Sequence, residues 1–94
     1  MSVGPVTARR VVVRGRVQGV FFRASTRELA RERGVAGWVS NRADGAVEAR
    51  LEGPEAGVEA VLDWIREGGP TDARVADVEV ESVPPVGHEG FAVR

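Results

Sequence analysis

The stretch Val47-Glu48-Ala49-Arg50-Leu51-Glu52 alternates apolar and charged residues without a break. Successive side chains of a strand point to opposite faces, so such a segment has one face to bury and one that faces water. A sheet built on it needs an apolar cover on one side only. Two segments of the chain can supply that cover. Over residues 22–33, Phe22, Ser25, Thr26, Leu29 and Ala30 form a weak apolar stripe at helical spacing. Arg23, Arg27, Glu28, Arg31 and Glu32 take the other side, and Gly34 is a natural stop. After Gly53, Pro54 is expected at the first position of a second helix, with Glu55 in its first turn. Val58, Val61, Leu62 and Ile65 then complete a full i, i+3, i+4, i+7 stripe, which Gly68-Gly69-Pro70 ends.

The remaining strands fall around these elements. Residues 7–14 concentrate β-branched side chains at Val11, Val12 and Val13, and place Arg10, Val12 and Arg14 on one face. Residues 1–6 read as a loose lead-in. Residues 35–41 hold Trp38 and Val39 near their middle, and Asp44-Gly45 is a hairpin signal. Residues 74–83 alternate again until Pro84-Pro85 breaks them, and Phe91-Ala92-Val93 suits a short edge strand. The order strand, helix, strand, strand, helix, strand predicts an α+β class, a ferredoxin-like split βαβ sandwich. Its sheet is expected to be antiparallel, four- to five-stranded, with two helices on one face. At 94 residues, without linker or repeat, the chain is expected to be a single domain over 1–94.

Composition removes several functions. With a net charge of −1, no global field gathers nucleic acid or anionic membrane. The absence of cysteine excludes disulfides, thiolate metal sites and a cysteine nucleophile, and fits a reducing cytosol. No apolar run approaches membrane-spanning length, and the N-terminus lacks a signal-peptide apolar region. All 13 basic residues are Arg, so catalytic lysine is excluded and abundant Arg says little by itself. No His/Cys/carboxylate cluster has metal-ligand spacing.

One stretch offers chemistry. Between the first strand and the first helix, the loop expected over residues 15–21 carries Gly15 and Gly19 and leads into Arg23. Main-chain N–H groups at a helix start lack partners and sit at the positive end of the helix dipole. An Arg in the first turn adds a permanent cation whose fork matches two phosphate oxygens. This is neither a Walker A loop nor G-x-G-x-x-G. On the pattern alone, a tight connection with a solvated Arg carries more weight than an anion site. Asn41, at the end of the second strand, has a plain reading as a turn residue, and a functional one as an amide that orients water.

Gly15-x-Val17-Gln18-Gly19-Val20-x-Phe22-Arg23, followed by Gly37-Trp38-Val39-x-Asn41 and Asp44-Gly45-x-Val47-Glu48, resembles the acylphosphatase family. The resemblance runs from the first strand to Phe91-x-Val93, and no position the family uses for chemistry departs from its pattern. It implies hydrolysis of the carboxyl-phosphate bond of acyl phosphates to a carboxylate and inorganic phosphate. It implies that the main-chain N–H groups of Arg16, Val17, Gln18, Gly19, Val20 and Phe21 cradle the phosphoryl oxygens. By the same match, Arg23 holds the phosphate and Asn41 positions the attacking water, with no metal, no other cofactor and no phosphoenzyme. The expected partners are a small acyl phosphate and its product phosphate, not nucleic acid or membrane, and the protein is expected to be a cytoplasmic monomer.

The residues suit that chemistry. An acyl phosphate carries a good leaving group, so positioning and charge stabilisation carry most of the catalysis. His88 sits in a Pro/Gly-rich segment and reads as a loop residue; Asp44 and Glu48 read as turn and solvent-face residues; Trp38 and Trp64 read as packing residues. Three rivals remain at this point. RNA-binding RRM domains also use four strands and two helices, but need exposed sheet aromatics and usually a basic face. A catalytically idle anion binder or protein-interaction domain can use the same fold. Larger hydrogenase-maturation proteins contain a domain of this kind.

Overall fold

A computed structural model describes residues 5–94. The elements are β1 (Val6–Arg16), α1 (Phe22–Glu32), β2 (Ala36–Asn41), β3 (Val47–Pro54), α2 (Glu55–Arg66), β4 (Arg74–Ser82) and β5 (Phe91–Val93). They form one five-stranded sheet in the order β4-β1-β3-β2-β5. Most of the expected lead-in lies outside the described residues, and Val6 already belongs to β1.

Strand direction decides where the functional residues meet. β1 is antiparallel to β3 and to β4, and β3 is antiparallel to β2. So β1 and β2 run one way while β3 and β4 run the other. β5 pairs parallel to β2, which makes the sheet mixed rather than wholly antiparallel. The cause is the connection. β4 ends at the same end of the sheet where β2 begins, and the chain crosses that end to start β5 alongside β2. The crossing is held as it passes. The Val83 N–H donates to the Ala8 carbonyl at 3.2 Å. The N–H groups of Val86, Gly87 and His88 donate to the Glu52 carboxylate at 2.8, 2.9 and 3.0 Å. Alternation places Glu52 in water; the crossing segment instead buries it to 7% exposure. Burial is the largest single influence on the Glu52 carboxyl and opposes its ionisation, but the three donors together hold it below its ordinary value.

The core lies between the helices and one sheet face. Val11, Val13, Val39, Val47, Ala49 and Leu51 of the sheet meet Phe22 and Ala30 of α1 and Val58, Val61, Leu62 and Ile65 of α2. The Phe22 ring lies 5.6 Å from Trp64, tying the helices together. Val12 belongs to the opposite face and is still 1% exposed. Arg10 and Arg14 flank it along β1, Glu48 and Glu79 stand opposite, and Arg10 pairs with Glu48 at 2.8 Å. The stems of such side chains cover an apolar residue while their heads stay wet.

Among the boundaries that differ from the sequence reading, two have a clear physical reason. Gly15 belongs to the sheet rather than to the loop. It lies where the β1–β4 register shifts, at φ 129°, and a Cβ there would come within 2.2 Å of the Arg74 carbonyl oxygen. Its missing side chain lets two strands approach at a bulge. Pro54 keeps extended backbone, φ −58° and ψ 140°, and caps α2 from outside rather than starting it.

Candidate active site

The directions of the strands bring one end of β1, the start of β3 and the ends of β2 and β5 together. The loop from β1 to α1 and the β2–β3 hairpin rise from this end, and the N-terminus of α1 follows that loop.

The loop is held from below. Val17 and Val20 are buried in the core, which leaves Gly19 and Phe21 exposed above them. Arg16 closes β1 opposite Arg74, so the irregular backbone begins at Val17. Gly19 takes φ 74° and Phe21 φ 63°, both left-handed, with Val20 between them on the ordinary side. Alternating handedness of this kind turns successive N–H groups toward a common point, making an anion-binding concavity. The N–H groups of residues 17–21 donate to no acceptor among the described residues. Phe21 is also the N-cap of α1 and supplies no side-chain cap, so the first helical turn adds further free donors.

Arg23 is the second residue of α1. Its Nη1 donates to the main-chain oxygen of Arg94 at 2.8 Å. The Arg94 N–H donates in turn to the Val39 carbonyl at 2.8 Å. Arg23 is thereby tied to β2 at the residue two before Asn41, on the same side of that strand. It forms no ion pair with a carboxylate side chain among the described residues.

Asn41 ends β2 opposite Val47. Its Oδ1 is buried and has no hydrogen-bond partner among the described residues. A turn Asn would spend that oxygen on local backbone; here the hairpin is closed by other groups. Asp44 Oδ1 accepts from the Ala46 N–H at 3.1 Å, and the Arg42 N–H donates to the Ala46 carbonyl at 2.8 Å. Asp44 Oδ2 receives Arg42 at 3.0 Å and Arg14 at 3.4 Å. The Ala46 N–H lowers the Asp44 carboxyl most, burial opposes it, and Arg42 and Arg14 lower it further. Asp44 is thus a hairpin residue, as read from the sequence, and Glu48 stands between Arg10 and Arg42.

The side chain of Gln18 joins loop and hairpin. Its Nε2 donates to the carbonyls of Arg42 at 2.7 Å and Ala46 at 2.9 Å. Sequence reasoning placed Gln18 here only for its main chain, because its acceptors lie 24 and 28 residues away and carry no side-chain signal. Arg94 was missed for the same reason. His88 lies elsewhere: it binds Glu52, which pairs with Ala36, five steps along β2 from Asn41 and about 17 Å away at strand rise.

The described residues contain no group of His, Cys, Asp and Glu able to hold a metal, and no helix among them is long and apolar enough to cross a membrane. The molecule is therefore a ferredoxin-like α+β sandwich whose first connection presents free donors beside an arginine, an arrangement suited to a small oxyanion. The acylphosphatase family model matches residues 9–93. The acylphosphatase of Haloquadratum walsbyi is 54% identical over 88 residues, covering 94% of each chain. The structure of an acylphosphatase from Coxiella burnetii superposes with a TM-score of 0.89 at 38% identity, over 95% of this chain and 93% of that one. The acylphosphatase of Bacillus subtilis gives a TM-score of 0.88 at 37% identity, over 94% and 98%. The chain belongs to the acylphosphatase family, and it is an enzyme that hydrolyses acyl phosphates.

Proposed function

We propose that the main-chain N–H groups of residues 16–21 and the Arg23 guanidinium seat the phosphoryl group, and that Asn41 orients the water that attacks it. The observation that carries this is the run of unpartnered donors at residues 17–21, at the same end of the sheet as Arg23 and the unpartnered Asn41 Oδ1. Charge on the equatorial phosphoryl oxygens grows toward the transition state, and preorganised donors stabilise it there without reorganising. Arg23 adds charge and a fork, and its bond to Arg94 holds the side chain toward β2. A buried acceptor such as Asn41 Oδ1 takes one water hydrogen and leaves the water's lone pair free to face phosphorus. The water oxygen joins phosphorus as the bond from phosphorus to the carboxyl oxygen breaks. The carboxylate leaves with the bonding pair, and the water's protons pass to phosphate and solvent.

On this reading the enzyme needs no metal or other cofactor and acts as a cytoplasmic monomer on a small molecule, without nucleic acid. The open sheet face supports the last point. It presents Arg10, Glu48, Arg50 and Glu79, and its Trp38 is covered by the Arg94 guanidinium at 4.6 Å from the ring centroid. Purified protein should hydrolyse benzoyl phosphate after exhaustive EDTA treatment, with inorganic phosphate as a competitive inhibitor. Activity lost to EDTA and restored by Mg²⁺ or Zn²⁺, or phosphate binding without turnover, would overturn the reading.

A further inference from the structure

Phe21 bears two unfavourable features that the fold does not use. It is 78% exposed, and it is the single non-glycine residue at positive φ among those described. A bulky residue in that conformation is strained, and strain of this kind gathers at functional sites. The adjacent Phe22 is 2% exposed and fills the core. The left-handed turn at Phe21 thus sends one ring of the pair inward and the other out.

The outward ring borders a cavity of about 280 Å³ lined by Gly19, Phe21, Arg23, Ala24 and Val93. Val93 is itself 38% exposed. The other large apolar residues exposed among those described are Val6 and Val86. Val6 starts β1 and Val86 binds Glu52, so both lie at the opposite end of the sheet. At the active-site end, the exposed apolar surface is concentrated on the two walls of one cavity, and that cavity contains Arg23.

We propose that Phe21 and Val93 form a shelf for the acyl group, which makes the enzyme select acyl phosphates with an aromatic or large apolar acyl part over acetyl phosphate. The proposal rests on the phosphate cradle described above. With phosphorus held by the loop and Arg23, the acyl carbon is one oxygen away, within reach of the cavity that Arg23 shares with Phe21 and Val93. Apart from Arg23 the cavity is lined by apolar residues, Phe21, Ala24 and Val93, and by Gly19; it is open to solvent and of a size for a small organic group. An aromatic acyl group can stack offset or edge-on against the Phe21 ring. An acetyl methyl is too short to cover it.

The test compares kcat/KM for benzoyl phosphate and acetyl phosphate, with their ratio as the readout. Phe21→Asn removes the ring and keeps a residue that tolerates positive φ. Its ratio should fall about 3- to 10-fold, the scale of an aromatic pair, whatever loss the altered loop brings to both substrates. Val93→Thr keeps the side-chain shape and makes it polar. It should lower the ratio in the same direction. An unchanged ratio in both variants, with both substrates still turned over, overturns the shelf alone and assigns the exposed ring to another partner. A wild-type protein that hydrolyses neither substrate overturns the cradle and the shelf together.

Discussion

Replacing Asn41 by Ala should separate stability from catalysis. The Asn41 Oδ1 is buried without a partner among the described residues, so truncation breaks no hydrogen bond to that oxygen. What truncation gives up is side-chain packing, and the unfolding free energy should change by less than about 1 kcal/mol. Catalysis should respond differently. On the proposed mechanism Asn41 holds one water in an arrangement fully used only in the transition state, so its loss should lower kcat by about 10²–10³-fold, by analogy with removal of one preorganised polar group. That corresponds to about 2.7–4 kcal/mol of barrier. Phosphate affinity should stay near wild type, since the amide is neutral and the cradle donors remain. Urea denaturation, steady-state kinetics and phosphate calorimetry read the three quantities separately. A variant that keeps its kcat but loses about 2 kcal/mol or more of stability would make Asn41 a structural residue. A folded variant that loses phosphate binding along with activity would place the amide in the cradle itself.

Other outcomes follow from named contacts. Arg23→Lys keeps a cation but loses the fork, and should cost about 1.5–3 kcal/mol in kcat/KM; full activity in this variant would remove Arg23 as the clamp. Gln18→Ala deletes the bonds to the Arg42 and Ala46 carbonyls, and should cost about 1–3 kcal/mol of stability at 0.5–1.5 each, measured by denaturant titration. Glu52→Gln weakens the grip on residues 86–88 and should cost about 1.5–3 kcal/mol at pH 7, the range for bonds to a charged group. Because the folded Glu52 carboxyl is held below its ordinary 4.5, its contribution is present above that value and lost as pH falls through the lowered one. The gap between wild type and Glu52→Gln should therefore close on acidification below pH 4.5, and a pH-independent gap would contradict this linkage.

The elements themselves could be read locally. Alternation at Val47 to Glu52, the stripe Val58-Val61-Leu62-Ile65 and the breaks at Gly34 and Gly68-Gly69-Pro70 are properties of neighbouring residues, and they appear in the structure as β3, α2 and the helix ends. Arg23 and Asn41 could be named as candidates in advance, both through the paired motifs that resemble the acylphosphatase family rather than through the local pattern of either. What they share could not. Their meeting at one end of the sheet depends on β1 and β2 running together with β3 reversed between them, which is a matter of strand order and pairing. Gly15 serving a bulge against Arg74, Gln18 reaching Arg42, Arg94 receiving Arg23, and Glu52 buried under residues 86–88 all depend on segments far apart in the chain. Periodicity reports which face of an element is apolar; it carries no information about which distant carbonyl or N–H comes to lie beside it. That is decided when the sheet assembles, because only then do long-range register and strand direction set the neighbours of each polar group.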